Sequence, residues 1–330
     1  MQPTDISWCK YSWSPVTGCT RHGPECSNCW AEAFTRRQAA RDNAPEYMDD
    51  LEWTQANAEA VVDTHEDRLD EPLTYSYPDG PGRIFVVSMG DIFHREVPAS
   101  FIRRVIAIAR QLPEHEFVFL TKRPERAAEI EVSWPDNAIV GTSVGSGPGG
   151  EYPDTTHRIE QLRNVDARRW VSFEPLIEPV GGVELDHIEW AVVGGENASD
   201  DVRREMDHKW ARDILRQCRR DDVAFHFKQS SAATNETGTR LTVNSCFKIR
   251  GDLLHSFRDR GAANSLTEDP PSHPLRQGQT RRPSLVLPPG VPHASHAVVL
   301  RHSIRSRQCR AGQQADYRRT ERGCRGSSPS

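Results

Sequence analysis

From Arg83 to about Gln229 the sequence alternates short apolar runs with amphipathic stretches, and this alternation limits the fold more than any other feature. The runs 84–88, 117–120, 138–142, 170–173, 190–194 and 224–227 are rich in β-branched and aromatic residues and nearly free of polar ones. Strands buried on both faces of a parallel sheet have that composition. Between them, residues 98–112 place Phe101, Ile102, Val105, Ile106, Ala109 and Leu112 on one helical face. Asp207 is a helix N-cap ahead of Trp210, Ala211, Ile214, Leu215 and Cys218 at similar spacing. Strand–helix alternation of this kind predicts an α/β fold built on a parallel sheet or barrel. Upstream, 59–63 reads as another strand, 66–73 as a helix, and 12–17 as one more strand. With these the chain has up to eight βα units, enough for a full or partial parallel (β/α) barrel. A doubly wound open sheet stays open as an alternative, because strand order is not written in the sequence.

The polar residues that follow each run are the candidates for function. They are Ser88, Met89, Gly90 and Asp91; Thr121, Lys122 and Arg123; Thr142 and Ser143; Ser172, Phe173, Glu174 and Pro175; Gly194, Gly195 and Glu196; Lys228 and Gln229. Barrels and open parallel sheets both build ligand sites at the C-terminal ends of their strands, so these six groups are expected to converge on one mouth.

Charge is divided unevenly. The chain carries −5 overall, whereas residues 261–330 hold 11 Arg, no Lys and four acids, which leaves −12 on residues 1–260. An acidic body is a poor sink for phosphate backbones, which argues against non-specific nucleic-acid binding by the core. Residues 261–330 also hold eight prolines, no Phe or Trp, and no sustained helix or strand period beyond a short apolar run at 297–300. That composition reads as a disordered tail, or as an out-of-frame translation of GC-rich DNA. The domain expectation is therefore 1–260 for the barrel and 261–330 for the tail. No apolar run approaches the roughly 20 residues that span a bilayer. Residues 1–10 lack the order of a secretory signal, and the chain reads as cytoplasmic.

Of eight cysteines, three fall within eleven residues: Cys19, Cys26 and Cys29. Gly18, Gly23 and Pro24 mark a turning loop around them, and a helix is expected from about Cys29. In a reducing compartment so tight a group points to metal rather than to disulfides. Three thiolates on one loop suit three irons of a 4Fe–4S cube and leave the fourth open to a substrate or cofactor. They suit structural zinc equally if Cys9 or His22 supplies a fourth ligand. Spacing alone leaves both open.

The surrounding residues carry a resemblance. Ser12-Trp13-Ser14-Pro15-Val16-Thr17-Gly18-Cys19, followed by Cys26-Ser27-Asn28-Cys29-Trp30-Ala31-Glu32, resembles the start of a phage and prophage family of unknown function with a three-cysteine motif. The match continues through Ser88-Met89-Gly90-Asp91-Ile92-Phe93-His94, Thr121-Lys122-Arg123-Pro124-Glu125-Arg126, Phe173-Glu174-Pro175, Gly194-Gly195-Glu196 and Phe225-His226-Phe227-Lys228-Gln229, covering roughly residues 5–250. The family's cysteine motif looks like that of radical S-adenosylmethionine enzymes, where three and then two residues separate the cysteines. Here the gaps are six and two.

The resemblance implies a radical-SAM-like barrel and a 4Fe–4S cluster on Cys19, Cys26 and Cys29. It implies S-adenosylmethionine bound at the open iron, and a companion known as the three-Cys-motif partner protein. Candidate cofactor contacts are Ser88, Lys122, Glu174, Gly194, Gly195 and Glu196. Lys122 and Arg123 are suited to a carboxylate or phosphate, and Glu196 to an ammonium or a ribose hydroxyl. Radical enzymes carry a Gly-Gly-Glu after an early strand, whereas Glu196 follows a late one. Asp91 and His94 are spaced to share a site, with a structural hydrogen bond as the alternative for His94. Zinc in a protein- or nucleic-acid-binding module without catalysis is the rival reading of the whole chain.

Overall fold

The computed structural model describes residues 1–41, 43–45 and 50–241. The expectations for 261–330, and for Cys246, Cys309 and Cys324, lie outside the described residues. The strands are β1 (Gln2–Pro3), β2 (Tyr11–Trp13), β3 (Val16–Thr17), β4 (Asp63–Thr64), β5 (Arg83–Val86), β6 (Glu116–Thr121), β7 (Ala138–Ser143), β8 (Arg168–Phe173), β9 (Trp190–Gly194) and β10 (Ala224–Gln229). The helices are α1 (Trp30–Ala39), α2 (Ala58–Val61), α3 (Glu71–Thr74), α4 (Ala99–Gln111), α5 (Pro124–Glu129), α6 (His157–Leu162) and α7 (His208–Arg220).

Eight strands form one sheet in the order β1-β2-β5-β6-β7-β8-β9-β10, and β3 and β4 form a separate two-stranded pair. From β2 to β10 every pairing in the large sheet is parallel and follows chain order; β1 alone joins antiparallel, at the edge. Each new strand is therefore added on the same side of the last. Right-handed crossovers then place the helices on one face and bend the sheet toward a barrel. The two edges approach each other: Ser7, just before β2, hydrogen-bonds His226 of β10 at 3.0 Å. The fold is a mixed α/β partial barrel, as the alternation predicts.

Alternation along the strands divides the core. Ile84, Val86, Phe117, Phe119, Val171, Phe173, Ala191 and Val193 face Ile102, Val105 and Ile106 of α4, Leu162 of α6, and Ile214 and Leu215 of α7. The intervening residues Phe85, Val118, Ile139, Trp170, Trp190 and Val192 point to the concave side and pack with Trp8 and Cys9. Trp170 and Trp190 stack at 4.6 Å, and Trp8 meets both edge-on at 5.4 and 5.6 Å. Three indoles thus plug the interior.

The upstream expectations need correction. Residues 58–61 are a helical turn, with only Asp63–Thr64 extended. The expected 66–73 helix is broken into a 3-10 turn at Glu66–Arg68 and the short α3, whose second residue is Pro72. A proline that cannot donate to the preceding turn starts a helix more readily than it continues one. Asp207 does cap α7, accepting from the Lys209 amide at 2.7 Å.

Candidate functional site

Gly18 positions the cysteine loop. Its amide donates to the Met89 carbonyl at 2.8 Å, and it forms a parallel bridge to Gly90, so the chain runs beside β5 to the end of the sheet. Its φ is +78°, and an added Cβ would overlap the Val61 carbonyl oxygen. Only glycine fits there. Beyond it, Thr20 to Glu25 fill the six-residue gap between the first two cysteines, and Cys29 is the N-cap of α1.

Arginines from three other elements brace this loop. Arg123, just past β6, donates to the Thr20 carbonyl at 2.8 Å, to Thr20 Oγ1 at 3.1 Å and to Cys19 Sγ at 3.4 Å. Arg158 of α6 is fully buried against Glu25, with Nη1 to Oε1 at 2.8 Å; the same oxygen accepts from the Gly145 amide at 3.1 Å. Arg204, beyond β9, donates to the Pro24 carbonyl at 2.9 Å and pairs with Glu196. A fourth pair lies within the region itself: Arg21 grips Glu32 of α1 through two nitrogens, at 3.1 and 2.7 Å. The planar guanidinium suits such two-pronged contacts.

Asp91 is the counterion of Arg123, at 2.9 Å, and also accepts from Thr121 Oγ1 at 2.8 and 2.9 Å and the Phe93 amide at 3.0 Å. Burial works against its charge, yet Arg123 and these donors hold its pKa below the usual aspartate range. His94 hydrogen-bonds Thr20 Oγ1 at 2.8 Å and accepts from the Glu96 amide. Burial, helped by Arg123, lowers its pKa to about 4, so it is neutral at pH 7. Asp91 and His94 therefore do meet at one place, through Arg123 and Thr20, as supports of the loop.

Cys19, Cys26 and Cys29 all line one cavity of 1680 Å³ at the C-terminal ends of the strands. Burial pushes the Cys19 thiol up to about 12 against the pull of Arg123, and it raises Cys29 as well. Cys9 and His22 do not share the cavity. Cys9 is buried on the concave side beside Trp8, its thiol raised by burial to about 12, and His22 is exposed to solvent. Among the described residues no three His, Cys, Asp or Glu side chains close around a point that a single ion could occupy. A cube needs no such point, because each sulfur binds a different iron. The three soft thiols beside arginine and lysine fit that group, and among the described residues no fourth Cys or His lines the cavity to complete a zinc site.

The model describing proteins of unknown function under the name DUF5131 matches residues 3–318. The chain belongs to that family. No curated protein matches the sequence. Among solved structures the chain is similar to spore photoproduct lyase in several forms. A cysteine-to-serine mutant aligns with 10% identity and a TM-score of 0.39, over 67% of this chain and 64% of the lyase. The lyase complexed with dinucleoside spore photoproduct gives 10% and 0.38. A double mutant with bound AdoMet and the same photoproduct gives 9% and 0.38, with the same shares covered. The chain thus spans less than two thirds of the lyase's length.

The remaining candidate residues of this family member divide between the cavity wall and its supports. Ser88 lines the cavity and hydrogen-bonds Ser12 at 2.9 Å and Ser14 at 3.4 Å. Glu174 lines it too, paired with Lys228 at 3.1 Å and accepting from Ser172 at 3.0 Å. Gly194 lies behind this pair, and a Cβ there would overlap Glu174 Oε1. Gly195 packs against the Ser231 backbone for the same reason of space. Lys122 lines the cavity half-buried. Burial pulls its pKa down, but the charges of Cys26, Glu25 and Cys29 outweigh that and raise it.

Glu196 is buried at the wall and fully engaged: Asn28 Nδ2 donates to it at 3.0 Å, the Arg204 amide at 2.9 Å and the Arg204 guanidinium besides. Burial opposes its charge, and the Arg204 and Asn28 donors still lower its pKa. Glu196 thus latches the cysteine loop to the end of β9. The sequence reading did not single out Glu25, Asn28, Arg158 and Arg204. A signal was present in the 37 arginines against five lysines, an excess suited to fixed pairing.

Proposed function

We propose that Cys19, Cys26 and Cys29 hold a 4Fe–4S cluster and that the cavity beside them receives S-adenosylmethionine and a substrate for radical chemistry. The observation that carries this reading is the convergence of three thiols, without a fourth Cys or His among the described residues, on one cavity at the strand ends. The cysteine motif's resemblance to radical S-adenosylmethionine enzymes supports it. When bound, such a cluster supplies one electron to cleave the sulfonium and release a hydrogen-abstracting radical; the protein orients the reactants and excludes water.

The chain's own residues have these tasks. Arg123 holds Cys19 by its sulfur and by the Thr20 carbonyl, fixing the first ligand. Glu25–Arg158 and Glu196–Asn28 fix the stretch that carries the other two. Ser12, Ser88, Ser172 and Glu174 present hydroxyl and carboxylate groups along the wall to the polar parts of a bound cofactor. Pockets for one small ligand run about 300–1,000 Å³, so 1680 Å³ leaves room for cofactor and substrate together.

The test is anaerobic reconstitution followed by iron and sulfide analysis. About four irons per chain and 5′-deoxyadenosine on adding S-adenosylmethionine and dithionite are the expected results. One zinc per chain with no iron would overturn the reading. Association with a three-Cys-motif partner protein is a proposal of the same origin, and co-purification of the two chains tests it.

A further inference from the structure

Seven of the eight tryptophans pack in or against the core. Trp8, Trp13, Trp53, Trp170 and Trp190 are buried, and Trp134 and Trp210 are partly buried against it. Trp30 is the exception. It is 51% exposed, and among the described residues its indole makes no ring, cation or hydrogen-bond contact. It follows Cys29 directly and lines the cysteine cavity. Val202, 50% exposed, lines the same cavity. Asn28 ties that residue to the cysteine loop, donating to the Val202 carbonyl at 2.9 Å. Among the described residues three large apolar side chains are exposed, and two of them are these.

Helix α1 continues the surface. Trp30, Ala33, Phe34 and Arg37 recur at i, i+3, i+4 and i+7, the spacing of one helical face, and all four line the cavity. Ala31, Glu32 and Thr35 form the opposite, buried face. Arg36 is paired with Asp50 at 3.0 Å, and Arg21 with Glu32 at 2.7 Å. Arg37 meets no acid among the described residues; its one bond runs from Nε to the Ala33 carbonyl at 3.2 Å. That bond turns the side chain back along the helix toward Trp30. Ala33 stands three residues from Trp30, about 4.5 Å along the axis. An open indole and an unpaired cation are thus about one turn apart on one wall.

We infer that this face is a nucleotide subsite of the cavity, where a base stacks on Trp30 and its phosphate meets Arg37. A flat ring that carries an anion on a short linker matches both contacts at that separation. An aromatic side chain accepts any base through its π-face, and a guanidinium forks onto phosphate oxygens. Phe34 and Val202 add apolar surface to the same wall. One ring and one cation recognise a single nucleotide, which agrees with an acidic body that repels a long polyanion. Trp30 and Arg37 are then specificity-determining residues. This inference rests on the reading above of the cavity as the place of the substrate.

The test uses the full chain, reconstituted anaerobically, as wild type, Trp30→Ala, Trp30→Phe and Arg37→Gln. Equilibrium dialysis measures adenosine, guanosine, cytidine and thymidine 5′-monophosphates, the matching nucleosides, and a single-stranded oligothymidylate. Wild type should hold the monophosphates more tightly than the nucleosides. Trp30→Ala should weaken both about tenfold, while Trp30→Phe, which keeps a ring, stays within about threefold of wild type. Arg37→Gln should weaken the monophosphates about fivefold and leave the nucleosides unchanged. Iron content and melting temperature should match wild type in all three, because both side chains are exposed. A Trp30-dependent preference for the oligothymidylate over thymidine monophosphate places the nucleotide in a strand, and the reverse preference makes it a free one. Both support the stacked base.

No binding of these probes by wild type at millimolar concentration overturns the inference. So does binding that Trp30→Ala leaves unchanged. Weaker S-adenosylmethionine binding by Trp30→Ala, with the nucleotides unaffected, assigns the indole to the cofactor and overturns it too. Loss of iron and a lower melting temperature in both Trp30 variants make the residue structural, with the same consequence. Wild type that holds iron but no nucleotide leaves the cluster reading standing. Nucleotide binding that depends on Trp30, in a chain that takes up zinc and no iron, removes the cluster reading and keeps the subsite.

Discussion

The ion pair of Glu25 with Arg158 gives the sharpest test of how the cysteine loop is held. Its side chains are 0% and 3% exposed, and one strong contact at 2.8 Å joins them. Replacing Arg158 with Met removes one charge and leaves the other buried, which costs about 3–5 kcal/mol. The Ser143 carbonyl, which accepts from the same guanidinium nitrogen at 2.8 Å, loses a donor as well, adding about 1 kcal/mol. At about 2–4 °C per kcal/mol for a domain of this size, the melting temperature should fall by roughly 8–24 °C.

The pair is imperfect even so, because Glu25 Oε2 and Arg158 Nε are buried without hydrogen-bond partners. An apolar replacement of both residues should therefore recover most of the loss, as buried pairs generally allow. Thermal and guanidinium unfolding of Arg158→Met, Glu25→Met and the double variant would be compared. The expectation is two costly single variants, a double variant within about 1–2 kcal/mol of wild type, and poorer iron retention in all three. Single variants costing less than about 1 kcal/mol, the range of exposed pairs, would refute the reasoning. So would a double variant whose loss equals the sum of the two.

Gly18→Ala should be among the most damaging single-methyl additions, because φ of +78° and the Val61 carbonyl both oppose it; loss of soluble protein or of iron binding would be read by expression and metal analysis. Gly194→Ala drives a Cβ into Glu174 and should open the Glu174–Lys228 pair, costing about 1–3 kcal/mol and weakening S-adenosylmethionine binding in equilibrium titration. His226 is buried, and burial followed by Lys228 and Arg83 lowers its pKa to about 4. The unfolded chain then binds the extra proton first. Stability is complete above about pH 6.5 and is lost as pH falls toward 4, by up to about 1.4 kcal/mol per unit from this group. His226→Gln should flatten that part of the stability–pH curve; an unchanged slope would show that other histidines govern it.

Six strands of the sheet were legible because each is buried on both faces, so nearly every position had to be apolar. Trp190–Gly194 coincides with its run, and the others differ by one or two residues at the ends. The upstream region was harder to read. Residues 59–63 set Ala60, Val61 and Val62 between two acids and pass for a strand, yet Ala58–Val61 form a single helical turn whose Val61 carbonyl encloses Gly18. Tertiary packing, not local pattern, decided that segment. The convergence of strand-end groups followed from topology alone. Their division into wall and support did not, since Glu174 and Glu196 look alike in sequence. Only the position of Arg204 and Asn28 makes one a latch, while Lys228 and Ser172 keep the other on the cavity wall.

The long first gap of the cysteine motif follows from the same bracing. A loop of six residues between ligands would ordinarily be slack, and slack costs ordering entropy whenever a metal binds. Here Thr20, Pro24 and Glu25 are each held by an arginine from a different element. The ordering is thus done by folding rather than by the metal. A shorter loop would need fewer anchors; this one uses three, and each guanidinium is balanced by its own acid, Asp91, Glu196 or Glu25. Because every anchor is neutralised where it stands, the bracing adds no net charge beside the cysteines.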